Sequence, residues 1–170
     1  LGFGIFEDFE RSYTNQFINV GIAEQLMSSI SCGLASEGYK PVAYSIGNFP
    51  TLRSLEQIRN DIIYHNSNVK IVTNGAGFSY GYSGMSHHAT EDLSIMRSLP
   101  DITVVSPSTF FEVEKVTREI IEDKQVCYLR LDKSFGYDNG NHDFSFGKSR
   151  KLSEGNDLTV FVTGGILEEV

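Results

Sequence analysis

Apolar runs of strand length alternate with runs of helical period, and this alternation limits the fold more than any other feature of the chain. Strand-like runs stand at 17–20, 41–46, 69–73, 102–105 and 126–131, and helix-like runs at 7–13, 22–37, 52–65, 90–98 and 109–122. Strands separated by helices of this length pair in parallel, because each crossover carries the chain back to the same end of the sheet. The expected fold class is therefore α/β, a parallel twisted sheet with helices on both faces. The glycine-rich residues 75–86 and the polar residues 135–142 read as loops. From Asp143 onward the pattern changes. Two short β runs, 144–148 and 158–163, flank the turn cluster Ser153-Glu154-Gly155-Asn156-Asp157, and 167–170 begins a helix.

The stretch 17–38 holds the first position that can face a ligand. Phe17 to Val20 reads as a strand, and Gly21 supplies a tight turn. The helix that follows carries Ile22, Leu26, Ile30 and Leu34 at i, i+4 spacing, a stripe expected to face the core. Gly38 closes it as a C′ residue. Glu24 then stands in the first helical turn, just past a strand end, where open parallel sheets bind ligands. Taken by position alone, its carboxylate either complements the helix dipole or meets a ligand.

The 170 residues are one domain's worth, and 40% hydrophobic with 21% charged side chains reads as a water-soluble globular protein. No apolar run reaches the length of a membrane span, and the first residues lack the basic and apolar regions of a signal peptide. A cytoplasmic protein is expected, with both ends cut from a longer chain. The net charge of −8 disfavours nucleic acid as a partner. Cys32 and Cys127 each sit in an apolar element and read as buried free thiols. His87 and His88 are adjacent and point apart, so they make a poor metal pair, and no metal ligands are expected in this chain. Gly75-Ala76-Gly77 follows a strand, but Gly81 is too late for a dinucleotide fingerprint, and no helix follows to receive a pyrophosphate.

The run Asn19-Val20-Gly21-Ile22-Ala23-Glu24-Gln25, followed by Gly33-Leu34-Ala35 and Gly38, resembles the pyrimidine-binding domain of thiamine-diphosphate enzymes of the transketolase group. Arg53-Ser54-Leu55-Glu56-Gln57-Ile58-Arg59-Asn60-Asp61, Gly84-Met85-Ser86-His87-His88 and Met96-Arg97-Ser98-Leu99-Pro100 continue the match in the same order. The resemblance runs from about Leu1 to Asp132. It implies a pyrimidine-binding domain over 1–135, a linker over 136–157, and the truncated start of a C-terminal domain over 158–170.

The resemblance also implies roles. Glu24 is catalytic: a carboxyl group against N1′ of the aminopyrimidine ring drives the ring's amino group toward the imino form that deprotonates C2 of the cofactor. Such a group has to keep its proton near neutral pH, which burial favours. Ile22, Ile46 and Phe49 are the apolar neighbours expected to bury it. Phe49 stacks on the pyrimidine in this reading, although an aromatic at such a place is as readily core. Ile46 lines the same pocket. Arg53, near the substrate entrance, is counted with the cofactor-binding residues; its alternative is an exposed helix charge. His87 is the second catalytic residue, approaching the donor's hydroxyl and oxyanion.

Several positions depart from the family pattern. Ser83 stands where an aspartate reads a donor hydroxyl, and His88 stands for a glutamine. Ser106 stands where sugar-phosphate enzymes carry a phosphate-gripping arginine, which leaves Arg130 as a substitute grip or a surface charge. Glu91 matches a family glutamate or merely opens a helix. The family's diphosphate segment, G-D-G followed by an asparagine, is missing from the sequence. Thiamine diphosphate is thus the expected cofactor, with Mg²⁺ held by a partner domain or chain. That partner is a diphosphate-binding domain or subunit, in a homodimer or heterotetramer. The function implied is the pyrimidine-binding half of a transketolase-like transferase moving a two-carbon ketol unit between small sugar or oxo substrates. A deoxyxylulose-phosphate synthase, a 2-oxoacid dehydrogenase beta-type subunit and a non-catalytic interaction module of the same fold are the alternatives.

Overall fold

Ala43, Ile71, Tyr128 and Val104 lie in one row across a four-stranded, all-parallel sheet. The computed structural model describes residues 4–133 and 143–170. Its strands are β1 (Val42–Ile46), β2 (Lys70–Asn74), β3 (Thr103–Val105) and β4 (Cys127–Leu131), in spatial order β1-β2-β4-β3. The helices are α1 (Glu7–Ser12), α2 (Glu24–Ser36), α3 (Leu55–Gln57), α4 (Asp92–Ser98) and α5 (Phe110–Glu122). The helical path around α3 is longer than α3 itself. Its flanking turns, Phe49–Arg53 and Ile58–Ile63, are widened to the π form.

Alternation along each strand sends side chains to two faces. The row through Tyr128 packs under Ile58, Ile62, Ile63 and Met96, with Met27, Cys32 and Ala35 of α2 against it. The opposite face carries Cys127 and Leu129, covered by Val116 and Ile120 of α5. Helices therefore lie on both faces, as the alternation of runs requires. Thr109 Oγ1 caps α5 by accepting from Glu112 N at 3.1 Å, and the Glu112 carboxylate accepts from Ser108 N at 2.7 Å. At the other end of α5, the fully buried Lys70 ammonium donates to the Asp123 carbonyl at 3.0 Å and to that of Gln125. These carbonyls satisfy a charge whose pKa burial pulls down.

Helix α2 ends as expected. Gly38 has φ +89°, its N–H meets the Ala35 carbonyl, and Tyr39 N meets the Leu34 carbonyl at 3.1 Å, a Schellman closure. The face it buries is not the expected one. Ile22 and Leu26 are 75% and 52% exposed, whereas Glu24, Ser28 and Ser31 are buried. The reason is close packing. Small side chains let α2 lie against the 58–63 turn, where Ser29 Oγ donates to Asp61 Oδ2 at 2.6 Å and Cys32 Sγ to the Asp61 carbonyl at 3.0 Å. Larger apolar residues on that face would hold the two helices apart.

Other expectations are corrected too. Residues 17–20 form no strand, and Ile18 is 59% exposed. A short apolar run becomes a strand only where a neighbouring edge accepts its backbone. Residues 144–148 and 158–163 are likewise unpaired, although Phe144 packs on the α5 side of the sheet. The chain is pinned near its end, where Thr163 Oγ1 and Gly164 N both donate to the Ser106 carbonyl, at 2.7 and 3.0 Å. A 3₁₀ helix, Gly164–Glu169, follows. The loop expected at 135–142, and with it the first part of the linker at 136–157, falls outside the described residues. Cys127 is buried, and its thiol is pushed up to about 12, chiefly by that burial. Cys32 is half-buried. Among the described residues, no helix is long and apolar enough to cross a membrane.

Candidate functional site

Glu24 opens α2 and is only 7% exposed. Its burial does not come from Ile22, which faces solvent. Arg53 Nη1 donates to Glu24 Oε2 at 2.7 Å, and the Arg53 guanidinium carbon lies 4.4 Å from the centre of the Phe49 ring. Phe49 in turn meets His87 at 5.2 Å between ring centres, tilted by 68°. Four residues singled out in the sequence, from α2, the first widened turn and the loop after β2, thus form one cluster. A buried carboxylate with a partly exposed guanidinium partner is more than a surface pair, because removing the partner strands a charge away from water.

The loop bearing His87 is closed at its base by Gly77 and Ala89, each N–H donating to the other's carbonyl at 2.8 and 2.9 Å. Gly75, at φ +92°, leads into it from β2. A Cβ there would fall 2.0 Å from the Tyr80 ring, so only glycine lets that ring pack on the strand end. This packing accounts for the glycine that opens the loop. The Tyr80 ring lies 5.9 Å from that of His87 and carries Lys133 Nζ at 3.5 Å above it. Tyr80 and Lys133 join Ile5, Tyr44, Ile46 and Asn74 around a cavity of about 230 Å³. Ile46 therefore lines this cavity together with Tyr80. Burial raises the pKa of both tyrosine hydroxyls. The cavity and the cluster both stand at the carboxyl ends of β1 and β2, where parallel sheets receive ligands.

The candidate phosphate contacts are committed elsewhere. Arg130 Nε pairs with Asp92 Oδ2 at 2.9 Å, and its Nη2 donates to the Ala89 carbonyl at 2.8 Å. Tyr128 donates to the same Asp92 oxygen at 2.5 Å and accepts from Thr73 Oγ1 at 3.0 Å. Ser106 sits against Gly164. Glu91 is exposed, and the Thr90 hydroxyl holds its carboxyl below the usual range. His88 Nε2 lies 2.9 Å from the Gly81 carbonyl and edges onto Phe78. Among the described residues, no three His, Cys, Asp or Glu side chains gather as a metal site.

Sequence reasoning missed Asn48, Tyr80 and Lys133. The Asn48 amide reaches the Ser86 carbonyl across 38 positions. No local pattern signals such a contact. An aromatic in a glycine-rich loop and a lysine just beyond β4 were the available hints for the other two.

Fold and cluster together define an α/β domain with its candidate site at the carboxyl edge of the sheet. The chain belongs to the family described as the transketolase pyrimidine-binding domain, which it matches over residues 3–136. It is 38% identical over 160 residues to a putative transketolase C-terminal section of Methanocaldococcus jannaschii, covering 92% of this chain and 51% of that protein. It is 33% identical, with the same coverage, to one of the subunits of an apulose-4-phosphate transketolase from Phocaeicola vulgatus. A solved split-gene transketolase, described as an inactive beta4 tetramer, superposes with a TM-score of 0.71 at 34% identity, over 82% of this chain and 44% of that one. The chain thus spans about half the length of these relatives.

Proposed function

We propose that this domain supplies the pyrimidine-binding half of a thiamine-diphosphate-dependent transferase that moves a two-carbon ketol unit, with the other half supplied by a diphosphate-binding domain or subunit. One observation carries the reading. A planar N–H donor already lies on Phe49 and bonds a buried carboxylate, the two contacts an aminopyrimidine ring needs. The residues present therefore fit the cofactor, which supplies the carbanion chemistry when bound. Glu24 would share a proton with the ring nitrogen, in a pocket that keeps water from the carboxyl. Phe49 would bear the ring. His87, tilted against Phe49, would hold or exchange a proton at the donor's hydroxyl.

Mg²⁺ and the diphosphate fall to the partner in this reading. The exposed apolar side chains of Ile22 and Leu26, which flank Glu24 in the chain, suit a surface on which that partner closes. One relative is named as a C-terminal section and another as a single subunit of its enzyme, which supports a split enzyme, and so does the inactivity stated for the beta4 tetramer. A dimer or heterotetramer, a cytoplasmic location and a role in carbohydrate metabolism belong to the same reading. The substrate is a small sugar or oxo compound.

Calorimetry with thiamine diphosphate and Mg²⁺ tests the half-site arrangement. This chain alone should bind weakly or not at all, and the complex with its diphosphate-binding partner should bind. In that complex Glu24→Gln should slow hydrogen–deuterium exchange at C2 of the cofactor by about 10²–10⁴, the range of general acid–base catalysis. Micromolar binding by the single chain, or unchanged exchange in the variant, would remove the reading.

A further inference from the structure

We propose that Arg53 is a placeholder for the cofactor's aminopyrimidine ring: in the free protein its guanidinium occupies the Glu24 carboxylate and the Phe49 ring, and cofactor binding displaces it from both. This inference rests on the function proposed above and assigns Arg53 the opposite behaviour to a cofactor-binding residue. The geometry carries it. One guanidinium makes both contacts at once, at 2.7 Å to Glu24 Oε2 and 4.4 Å to the Phe49 ring centre. It is flat, stacks on aromatic faces and offers N–H donors in its plane, the properties that an aminopyrimidine also presents. Phe49 meets His87 at a steep tilt, an edge contact that leaves flat stacking to another group. A flat ring bound to Glu24 and Phe49 would therefore compete with Arg53 for the same space.

The two partners differ in what they can give up. The Glu24 side chain is 9% exposed, and without a counter-charge its carboxylate is stranded in the protein. The Arg53 side chain is 45% exposed, so its charged head reaches water with a small movement of a long stem. Arg53 thus keeps the carboxylate paired, and the aromatic face covered, until the ring arrives. A lysine could supply the charge but not the flat stacked contact.

The test uses the native complex of this chain with its diphosphate-binding partner, titrated with thiamine diphosphate in saturating Mg²⁺ and followed by quenching of protein fluorescence. Arg53→Met removes the competitor, and the Kd should fall about tenfold, equivalent to about 1.4 kcal/mol. Arg53→Lys, which keeps the charge and is the safer variant to fold, should fall between wild type and Arg53→Met. Thermal unfolding gives a second readout. Arg53→Met should lower the melting temperature of the cofactor-free complex and leave that of the saturated complex close to wild type, because the pair is already broken there. An unchanged or weaker Kd in both variants would overturn the placeholder and make Arg53 a cofactor contact or a bystander. A wild-type complex that does not bind the cofactor would overturn the proposed function, and the placeholder with it.

Discussion

The side-chain amide of Asn48 donates to the Ser86 carbonyl at 2.7 Å, tying the residue before Phe49 to the residue before His87. Two segments with no local reason to meet are thereby held in one register. Asn48→Ala should free the His87 loop while leaving the sheet intact. Misplacement of a catalytic group by about 1 Å costs up to about 10² in rate. In the complete enzyme, kcat should fall by about tenfold or more with the cofactor Kd nearly unchanged. A variant with wild-type kcat would show that the loop holds His87 without this bond.

With Arg130 tied to Asp92 and Ala89, Lys133 is the ammonium that lines the cavity beside Tyr80. Charge-assisted hydrogen bonds are worth about 1.5–3 kcal/mol, or one to two decades in affinity. If the donor carries a phosphate, Lys133→Ala should raise its KM by about that factor and spare an unphosphorylated donor. A donor panel run on wild type and variant decides. An equal effect on both donors would take Lys133 out of anion binding. A strong wild-type preference for a phosphorylated ketose would show a phosphate grip despite Ser106 standing where sugar-phosphate enzymes carry an arginine.

Asp92 is 1% exposed and receives both Arg130 and Tyr128. Burial, with the charge of Asp92 beside it, pushes the Tyr128 hydroxyl well above the usual range. Removing one member of a buried pair strands the other. Asp92→Ala should therefore cost about 3–5 kcal/mol of stability, read by urea unfolding. A loss below about 1 kcal/mol would mean that Arg130 finds water or another partner.

The Cys127 thiol has its pKa raised to about 12 in the folded chain, against about 8.5 for a free thiol. A raised folded pKa gives stability that is fully present below the unfolded value and lost as pH climbs toward the folded one. Wild type should therefore lose stability from about pH 8.5 upward, with a slope of up to about 1.4 kcal/mol per pH unit for this proton. Lys70, whose pKa burial lowers and the Cys127 charge partly raises, contributes with the opposite sign, and more strongly once the thiol is gone. Cys127→Ala should consequently flatten the curve between pH 8.5 and 9.5. Equal slopes in the two proteins would show that the thiol does not govern this limb.

Much of the fold is local and was legible. β1, β2, β3, β4 and α5 fall within a residue of where apolar period and turn residues put them, because strand and helix periods are properties of neighbouring residues. Gly38 and Thr109 mark helix ends for the same reason. The motif residues Glu24, Phe49, Arg53 and His87 were marked in the sequence by the resemblance to the family. That they form one cluster, with Arg53 lying between Glu24 and Phe49, depends on how α2 packs against the 49–63 turns. Packing also decided which side of α2 is buried. An apolar stripe shows only that a helix wants cover. Whether the cover is its own sheet or a surface elsewhere depends on the shapes that approach it, and here Ser28, Ser31 and Cys32 allow the closer fit. Residues 17–20 failed as a strand for a related reason. Backbone pairing needs an open edge in the right place, and edges exist only once the sheet has formed.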